Sequence, residues 1–244
     1  MKLIATALGI ILACNPLPVF ADNSTQLQGY GQGIEKDEIN RPLGAVDFNN
    51  CYQKSDAYSL SDDENQIILT FDQGYENGYT SKILDTLKEK NVKAIFFLTG
   101  DYAKKETALV RRMIDEGHAI GNHGMTHASF PKLSVEELKE EITSLHDFVL
   151  ENYNYEMQYL RPPCGEYSEK SLQITKELGY KTIMWSFAYV DWNTENQPSP
   201  EESLQNALNC AHNGGIYLLH SVSATNCQIL GSLIDGLKAK GYTL

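Results

Sequence analysis

The sequence is poor in basic residues and has no apolar run long enough to cross a membrane. Its 20 lysines and arginines face 32 aspartates and glutamates, which gives a formal net charge of −12. The chain therefore lacks the positive surface that nucleic-acid phosphates require. The longest apolar run, residues 3–13, falls short of the roughly 20 residues that span a bilayer. We expect neither a nucleic-acid partner nor an integral membrane span.

A glycine-rich phosphate-binding turn is also missing. Gly117 and Gly121 stand alone, and the pair Gly214 and Gly215 precedes a predicted strand instead of joining a strand to a helix. Dinucleotide-binding folds carry such a turn after their first strand. The sequence therefore gives little support to a nucleotide cofactor.

The short apolar run is typical of a secretory signal. It follows one lysine, and residues 19–21 (VFA) then precede a polar segment, so we interpret residues 1–21 as a removed signal peptide with cleavage after Ala21. A second interpretation treats residues 11–14 as a bacterial lipoprotein site that would lipidate Cys14, although Leu12 is bulky for such a site. Both interpretations predict an exported protein, secreted or held at the cell envelope.

Cleavage after Ala21 leaves an even number of cysteines. In an exported protein they could pair as disulfides. Four buried thiols in a chain from a reducing habitat are the alternative, and the sequence does not decide between the two. The four are Cys51, Cys164, Cys210 and Cys227.

The exported chain divides into two parts. Residues 22–64 are rich in Asn, Asp, Gln and Gly without a sustained period, which predicts an N-terminal extension with little regular structure, packed on the following domain. Across residues 65–244, short β-branched or aromatic runs alternate with stretches of helical period, beginning with residues 67–71 and 81–90. This alternation predicts βα units and a parallel sheet.

Polar residues that could act in catalysis or bind a metal follow these predicted strands. In a βα barrel the active site is built from the carboxyl ends of the strands, whereas an open wound sheet concentrates its groups at one switch point. We therefore predict a single-domain, distorted α/β barrel of the (β/α) type, with seven strands and an irregular N-terminal extension. The residues at the strand ends are Asp72, His123, Arg161, Asp191 and His220.

Each of these groups has a structural interpretation when taken alone. His123 and His127 are four residues apart, which lets two imidazoles reach one ion. Such a pair often has only a structural role, with both imidazoles hydrogen-bonded to other groups of the protein. Asp72 could be a capping residue at a strand end. Cys164 could be a thiol nucleophile, although its position between Pro163 and Gly165 calls for no special residue.

The order of the motifs is more specific than any one of them. Residues 70–74 (TFDQG), the two histidines, residues 161–165 (RPPCG), Asp191 with Trp192, and residues 218–220 (LLH) follow one another along the chain. This order resembles the polysaccharide deacetylase family, also called carbohydrate esterase family four or the NodB homology domain. Residues 70–80, 159–163 and 216–220 are similar to the branch that deacetylates N-acetylmuramic acid to form muramic δ-lactam in spore cortex.

The resemblance implies a base and a metal site. Asp72 would be the general base, and His123 and His127 would hold a divalent metal ion, commonly zinc. Gln73 stands where most relatives have a second carboxylate as third ligand. An amide oxygen is a weaker ligand and leaves more of the charge of the ion uncompensated. The N-acetylmuramic acid branch also tends to lack that acid.

The remaining roles concern the leaving group and the substrate. His220 would protonate the departing amine, and Asp191 would orient either His220 or Arg161; the sequence leaves both pairings open. In many relatives an acid stands three positions before Asp191, where this chain has Ala188. Substrate and oxyanion contacts would come from Cys164 through its backbone N–H, and from Trp192, Leu218 and Tyr75.

These roles predict a metal-dependent hydrolase that removes N-acetyl groups from the glycan strands of peptidoglycan, acting as a monomer. Deacetylases of chitin-like N-acetylglucosamine polymers or of acetylxylan are alternatives within the same fold. A glycan-binding pseudoenzyme is a third, because Gln73 replaces a metal-binding carboxylate.

Overall fold

The computed structural model describes residues 23–244. The predicted signal peptide, and with it Cys14, therefore lies outside the described residues. Within the described part of the chain, nine strands and eight α-helices alternate as the periodicity predicts. The strands are β1 (Gln28–Gly29), β2 (Ala57–Tyr58), β3 (Ile67–Gln73), β4 (Ile95–Leu98), β5 (Ala119–Asn122), β6 (Tyr159–Leu160), β7 (Glu166–Tyr167), β8 (Lys181–Ile183) and β9 (Gly215–His220).

Seven of these described strands form one parallel sheet in the order β2-β8-β6-β5-β4-β3-β9. The chain beyond β8 continues round to the far edge, where Phe187 and Tyr217 form a parallel bridge and the N–H of Leu218 donates to the carbonyl of Phe187 at 2.8 Å. The sheet therefore curls into a barrel. The predicted seven-stranded α/β barrel is confirmed.

The helices surround the barrel and begin where their sequences provide caps. Ser134 and Glu137 form a capping box, and Ser199 caps a helix that starts at Pro200, because these side chains satisfy N–H groups that have no partner inside the helix. The helices are α1 (Leu43–Tyr52), α2 (Thr80–Glu89), α3 (Gly100–Lys105), α4 (Thr107–Asp115), α5 (Val135–Tyr153), α6 (Glu169–Glu177), α7 (Pro200–Asn209) and α8 (Ala224–Ala239). No helix among residues 23–244 is long and apolar enough to cross a membrane.

Strand β3 shows how the core is divided. Ile67, Leu69 and Phe71 pack in the large cluster beneath the helices, while Ile68 packs with Phe97 in a smaller cluster. Successive side chains of a strand point to opposite faces, so Thr70 and Asp72 share the face of Ile68. Asp72 therefore ends a row of residues that faces the second cluster.

The N-terminal part differs from its expectation. Residues 23–64 contain α1 and β2, and β2 pairs with β8 at one edge of the main sheet. Phe48 of α1 packs on Tyr167 with ring centroids 5.3 Å apart. The segment is therefore partly regular and contributes a strand to the barrel.

Candidate functional site

The predicted catalytic, metal-binding and substrate-binding residues lie near the carboxyl ends of the strands. A cleft of about 720 Å³ opens there, and Asp72 of β3 stands beside His220 of β9 in the strand register. Three other predicted residues, Gln73, Arg161 and Asp191, are fully buried and do not line the cleft. The predicted residues that line it are Asp72, His123, His127, Cys164, Trp192, Leu218 and His220.

Asp72 is held by a buried arginine. Nη1 of Arg161 donates to Oδ1 of Asp72 at 2.7 Å and to Oγ1 of Thr70 at 2.9 Å. Burial works to raise the pKa of Asp72, but the charge of Arg161, with the histidines nearby, holds that pKa below its ordinary value. The carboxylate is therefore ionised, and Oδ2 remains on the side of His123, 3.5 Å from its Nε2.

Arg161 has no freedom to move toward the cleft. Its Nε and Nη2 donate to the carbonyls of Ile183 and Met184 at 2.9 and 3.0 Å. Its guanidinium also lies 4.3 Å from the centroid of the Phe97 ring. The ring fits there because position 121 is glycine: a Cβ on Gly121 would come within 2.3 Å of it. Arg161 is therefore a fixed support beneath Asp72.

The two histidines of the HxxxH motif form a neutral pair. Their ring centroids are 4.8 Å apart, and Nδ1–H of His123 donates to the carbonyl of Arg161 at 2.8 Å. Burial lowers the pKa of His123 to about 4 and also lowers that of His127. Nε2 of His123 therefore carries a free lone pair, as a metal ligand must.

Gln73 is the remaining candidate ligand. Its Nε2 donates to Oγ of Ser221, while its Oε1 is buried and has no hydrogen-bond partner among the described residues. Residues 23–244 contain no cluster of three His, Cys, Asp or Glu side chains that could hold a metal. The two neutral imidazoles therefore fit a divalent ion, and the amide oxygen of Gln73 is free to accept a partner, although no described contact joins it to either histidine.

The pairing of Asp191 is resolved. Its Oδ1 accepts from Nδ1–H of His220 at 2.7 Å, its Oδ2 accepts from the backbone N–H of His220 at 2.8 Å, and Asn226 donates to Oδ2 as well. Of the two partners that the sequence left open for Asp191, the structure pairs it with His220, while Arg161 pairs with Asp72. Nε2 of His220 is then the ring nitrogen available to a substrate.

The surroundings of Cys164 do not favour a nucleophilic thiol. Desolvation and the nearby Glu166 raise the pKa of its thiol, whereas a nucleophilic cysteine needs a lowered one. Its backbone is left-handed, with φ of 57°, as is that of His127 with φ of 63°. All four described cysteines, Cys51, Cys164, Cys210 and Cys227, are free thiols.

Exposed aromatic side chains lie around the cleft. Trp192 is 56 % exposed and lines it, while Leu218 is buried in its wall. Tyr75 is also exposed, but it lines a smaller depression of about 250 Å³ that adjoins the cleft at His127. The structure therefore separates Tyr75 from the other predicted substrate residues.

Several residues at the site have no signal in the sequence. Tyr30 and Gln32 line the cleft from the N-terminal segment, and Asn226 supports Asp191 from α8. None belongs to a motif, and each reaches the site only through long-range folding. Sequence patterns therefore cannot predict that these residues belong to the site.

Comparisons with known proteins agree with this geometry. Residues 60–183, just over half of the chain, match the family model described as polysaccharide deacetylase. The chain belongs to the polysaccharide deacetylase family. Enzymes of this family hydrolyse amides and are generally metal-dependent.

Several relatives within the family act on peptidoglycan. The chain is 42 % identical over 204 residues to the peptidoglycan-N-acetylmuramic acid deacetylase PdaA of Bacillus subtilis, covering 83 % of this chain and 78 % of PdaA. The solved structure of PdaA, a family 4 carbohydrate esterase, matches with a TM-score of 0.84 at 39 % identity, covering 90 % of this chain and 94 % of that one. A peptidoglycan-N-acetylglucosamine deacetylase of Bacillus cereus is 35 % identical over 191 residues, covering 76 % of this chain and 68 % of the relative.

Replacing Asp191 by Asn should move the alkaline limb of the pH profile to lower pH. Burial lowers the pKa of His220, but the hydrogen bond and charge of Asp191 outweigh it and raise that pKa above the ordinary value. In its predicted role as general acid His220 must be protonated, so we expect activity to be lost as the pH rises through this pKa. The Asp191→Asn side chain would keep an acceptor but lose the charge. Initial rates measured as a function of pH test this; an unmoved limb would assign the acid to another group.

Proposed function

We propose that the protein removes the N-acetyl group of N-acetylmuramic acid in peptidoglycan glycan strands. The placement of Asp72 and His220 carries this proposal: they end neighbouring strands, face one cleft, and each has its own buried partner of opposite charge. Amide hydrolysis needs a base for the attacking water and an acid for the departing amine. The site provides one of each.

Asp72 is the base. Its low pKa keeps it ionised, and because Oδ1 is held by Arg161, Oδ2 is the oxygen that accepts the proton of the attacking water. His220 is the acid. Asp191 holds Nδ1, so Nε2 delivers the proton to the amine nitrogen as the C–N bond breaks.

The oxyanion requires donors that are already in place. The backbone N–H of Cys164, fixed in its left-handed turn between Pro163 and Gly165, is the proposed donor. A divalent ion held by His123, His127 and Gln73, for which we propose zinc, would supply Lewis-acid polarisation of the acetyl carbonyl. Trp192 and Leu218 would line the acetyl pocket, and Tyr75 would contact the strand outside it.

The choice of sugar rests on the similarity to PdaA, and the cellular setting rests on the apolar run at the start of the chain and on the motif resemblance of residues 70–80, 159–163 and 216–220. We propose export by the signal peptide of residues 1–21, action as a monomer, and a place in making muramic δ-lactam of spore cortex. Release of N-acetyl groups from N-acetylglucosamine polymers is the alternative. Gln73 favours a second candidate, a glycan-binding pseudoenzyme without turnover.

Mass spectrometry of peptidoglycan fragments tests the proposal. Glycan strands freed of peptides are incubated with metal-free protein and with protein loaded with zinc or other divalent ions. We expect muramic acid residues to lose an acetyl mass only with metal. Loss from N-acetylglucosamine would assign that sugar as the substrate, and no released acetate with any metal would overturn the proposed deacetylase activity.

Replacing Gln73 by Asp should tighten metal binding. The native ligand set carries no charge, whereas a carboxylate would cancel part of that of the ion. We expect affinity to increase about 10- to 100-fold, as changes around metal sites commonly produce, with turnover at saturating metal similar or lower. Calorimetric titration of the metal-free protein measures this. Unchanged affinity would show that position 73 does not face the ion.

A further inference from the structure

The N-terminal segment forms a wall of the catalytic cleft. Tyr30, Gly31 and Gln32 line the same cleft as Asp72 and His220. The family model begins only at residue 60, so this wall lies outside the part of the chain that the model matches. Its contribution to the cleft depends on its own contacts.

Tyr30 joins this wall to the loop after β8. Its backbone N–H donates to the carbonyl of Gly165 at 2.9 Å, and its hydroxyl donates to the carbonyl of Trp185. Its ring meets the Trp185 indole edge to face, with centroids 5.0 Å apart. The wall is therefore held to Gly165 and to Trp185, which both line the cleft.

Gln32 continues the connection along the same loop. Its Oε1 accepts from Nε1–H of Trp185 at 2.7 Å, and its Nε2 donates to the carbonyl of Ala188 at 3.2 Å. No other residue among 23–244 hydrogen-bonds the main chain of residues 188–190. These three residues lead directly to Asp191, and Val190 among them is 60 % exposed.

We propose that Gln32 is a positioning residue for deacetylation. It fixes the main-chain path of residues 188–190 and thereby the position of the Asp191 side chain. The proposal rests on the proposed function, because it assigns the effect to the Asp191–His220 pair. Asp191 contacts His220 through both oxygens, so a small shift of the loop turns the imidazole. Displacements of about 1 Å can cost as much as 10²-fold in rate.

The first experiment compares Gln32→Ala with Gln28→Ala. Gln28 lies in the same segment and accepts one hydrogen bond, from the hydroxyl of Tyr167 at 3.1 Å, but it does not line the cleft. We expect Gln32→Ala to lower kcat about 10- to 100-fold with KM little changed, and Gln28→Ala to keep the native kcat. Equal losses in the two variants would overturn the proposal, since the segment would then act through general stability.

A second measurement does not depend on turnover. The chain has two tryptophans, so Trp192→Phe leaves Trp185 as a single fluorescent reporter. In that background we expect Gln32→Ala to shift the emission of Trp185 and increase its quenching by acrylamide, and Gln28→Ala to change neither. An unchanged Trp185 signal in Gln32→Ala would show that Gln32 does not hold the loop.

Gln32→Glu separates the two hydrogen bonds. A carboxylate still accepts from the Trp185 indole but cannot donate to the carbonyl of Ala188. We expect native Trp185 fluorescence with a lowered kcat. A native kcat in this variant would assign the loop position to Trp185 alone and overturn the role of the Ala188 bond. If the wild type releases no acetate, the proposed function fails, while the fluorescence results still decide whether Gln32 holds the loop.

Discussion

Replacing Asp72 by Asn should lower turnover roughly 10²- to 10⁴-fold, the usual contribution of a positioned general base. Asn keeps the size of the side chain and an oxygen that can accept from Nη1 of Arg161, but it cannot take the proton of water. Metal affinity should change little, because His123 and His127 retain their positions. Acetate release and calorimetric metal titration on the same preparation measure the two quantities.

Asp101→Asn is the matched control for this change. Asp101 is exposed, pairs with Lys105 at 2.9 Å, and lines the neighbouring depression without reaching the cleft. It should leave turnover at the native level. Substantial activity in Asp72→Asn, with the thermal transition showing a folded protein, would move the role of base to another group.

Replacing Arg161 by Met should destabilise the fold by about 3–5 kcal/mol, the cost typical of removing one partner of a buried ion pair. Asp72 would keep a buried charge without its partner, and the carbonyls of Ile183 and Met184 would lose their donors. Denaturant unfolding measures the loss. Arg41→Met is the control: among the described residues the side chain of Arg41 makes one ion pair, with Asp37 at 2.8 Å, in which both side chains are partly exposed, and such pairs contribute at most about 1 kcal/mol.

The destabilisation of Arg161→Met should depend on pH with a definite sign. In the native protein the folded-state pKa of Asp72 lies below its ordinary value, so the pair stabilises the fold above that ordinary value and the gain is lost as the pH falls. The difference between variant and wild type should therefore shrink in acid. Adding Asp72→Asn to Arg161→Met should recover stability at neutral pH; a further loss instead would show that the two side chains do not interact.

The barrel was predictable because its strands and helices differ in period. Buried runs such as Ile67–Gln73 contrast with amphipathic helices such as Thr80–Glu89. The helix Leu43–Tyr52 is not predictable from the sequence, because only Ala45 and Phe48 are buried in it and its hydrophobic pattern is correspondingly weak. Strand β2 has two residues, too few to show any period.

The members of the candidate site were predictable from motif order, but their pairings were not. Asp191 could have served His220 or Arg161, and only the register of β3 with β9 and the burial of Arg161 beneath Phe97 decide it. The N-terminal wall depends on contacts such as Gln32 to Trp185, 153 residues apart. Such contacts follow from the finished fold and leave no local trace.

The left-handed backbone at His127 and Cys164 sets different limits on engineering at the two positions. A residue with a Cβ in this region costs of order 1–2 kcal/mol that glycine does not pay. Cys164 would contribute through its N–H, which every residue but proline has, so glycine there could raise stability and leave the chemistry intact. His127 would contribute its imidazole, so the strain at that position is inseparable from metal binding. A more thermostable form of the protein can therefore be sought at one of these turns and not at the other.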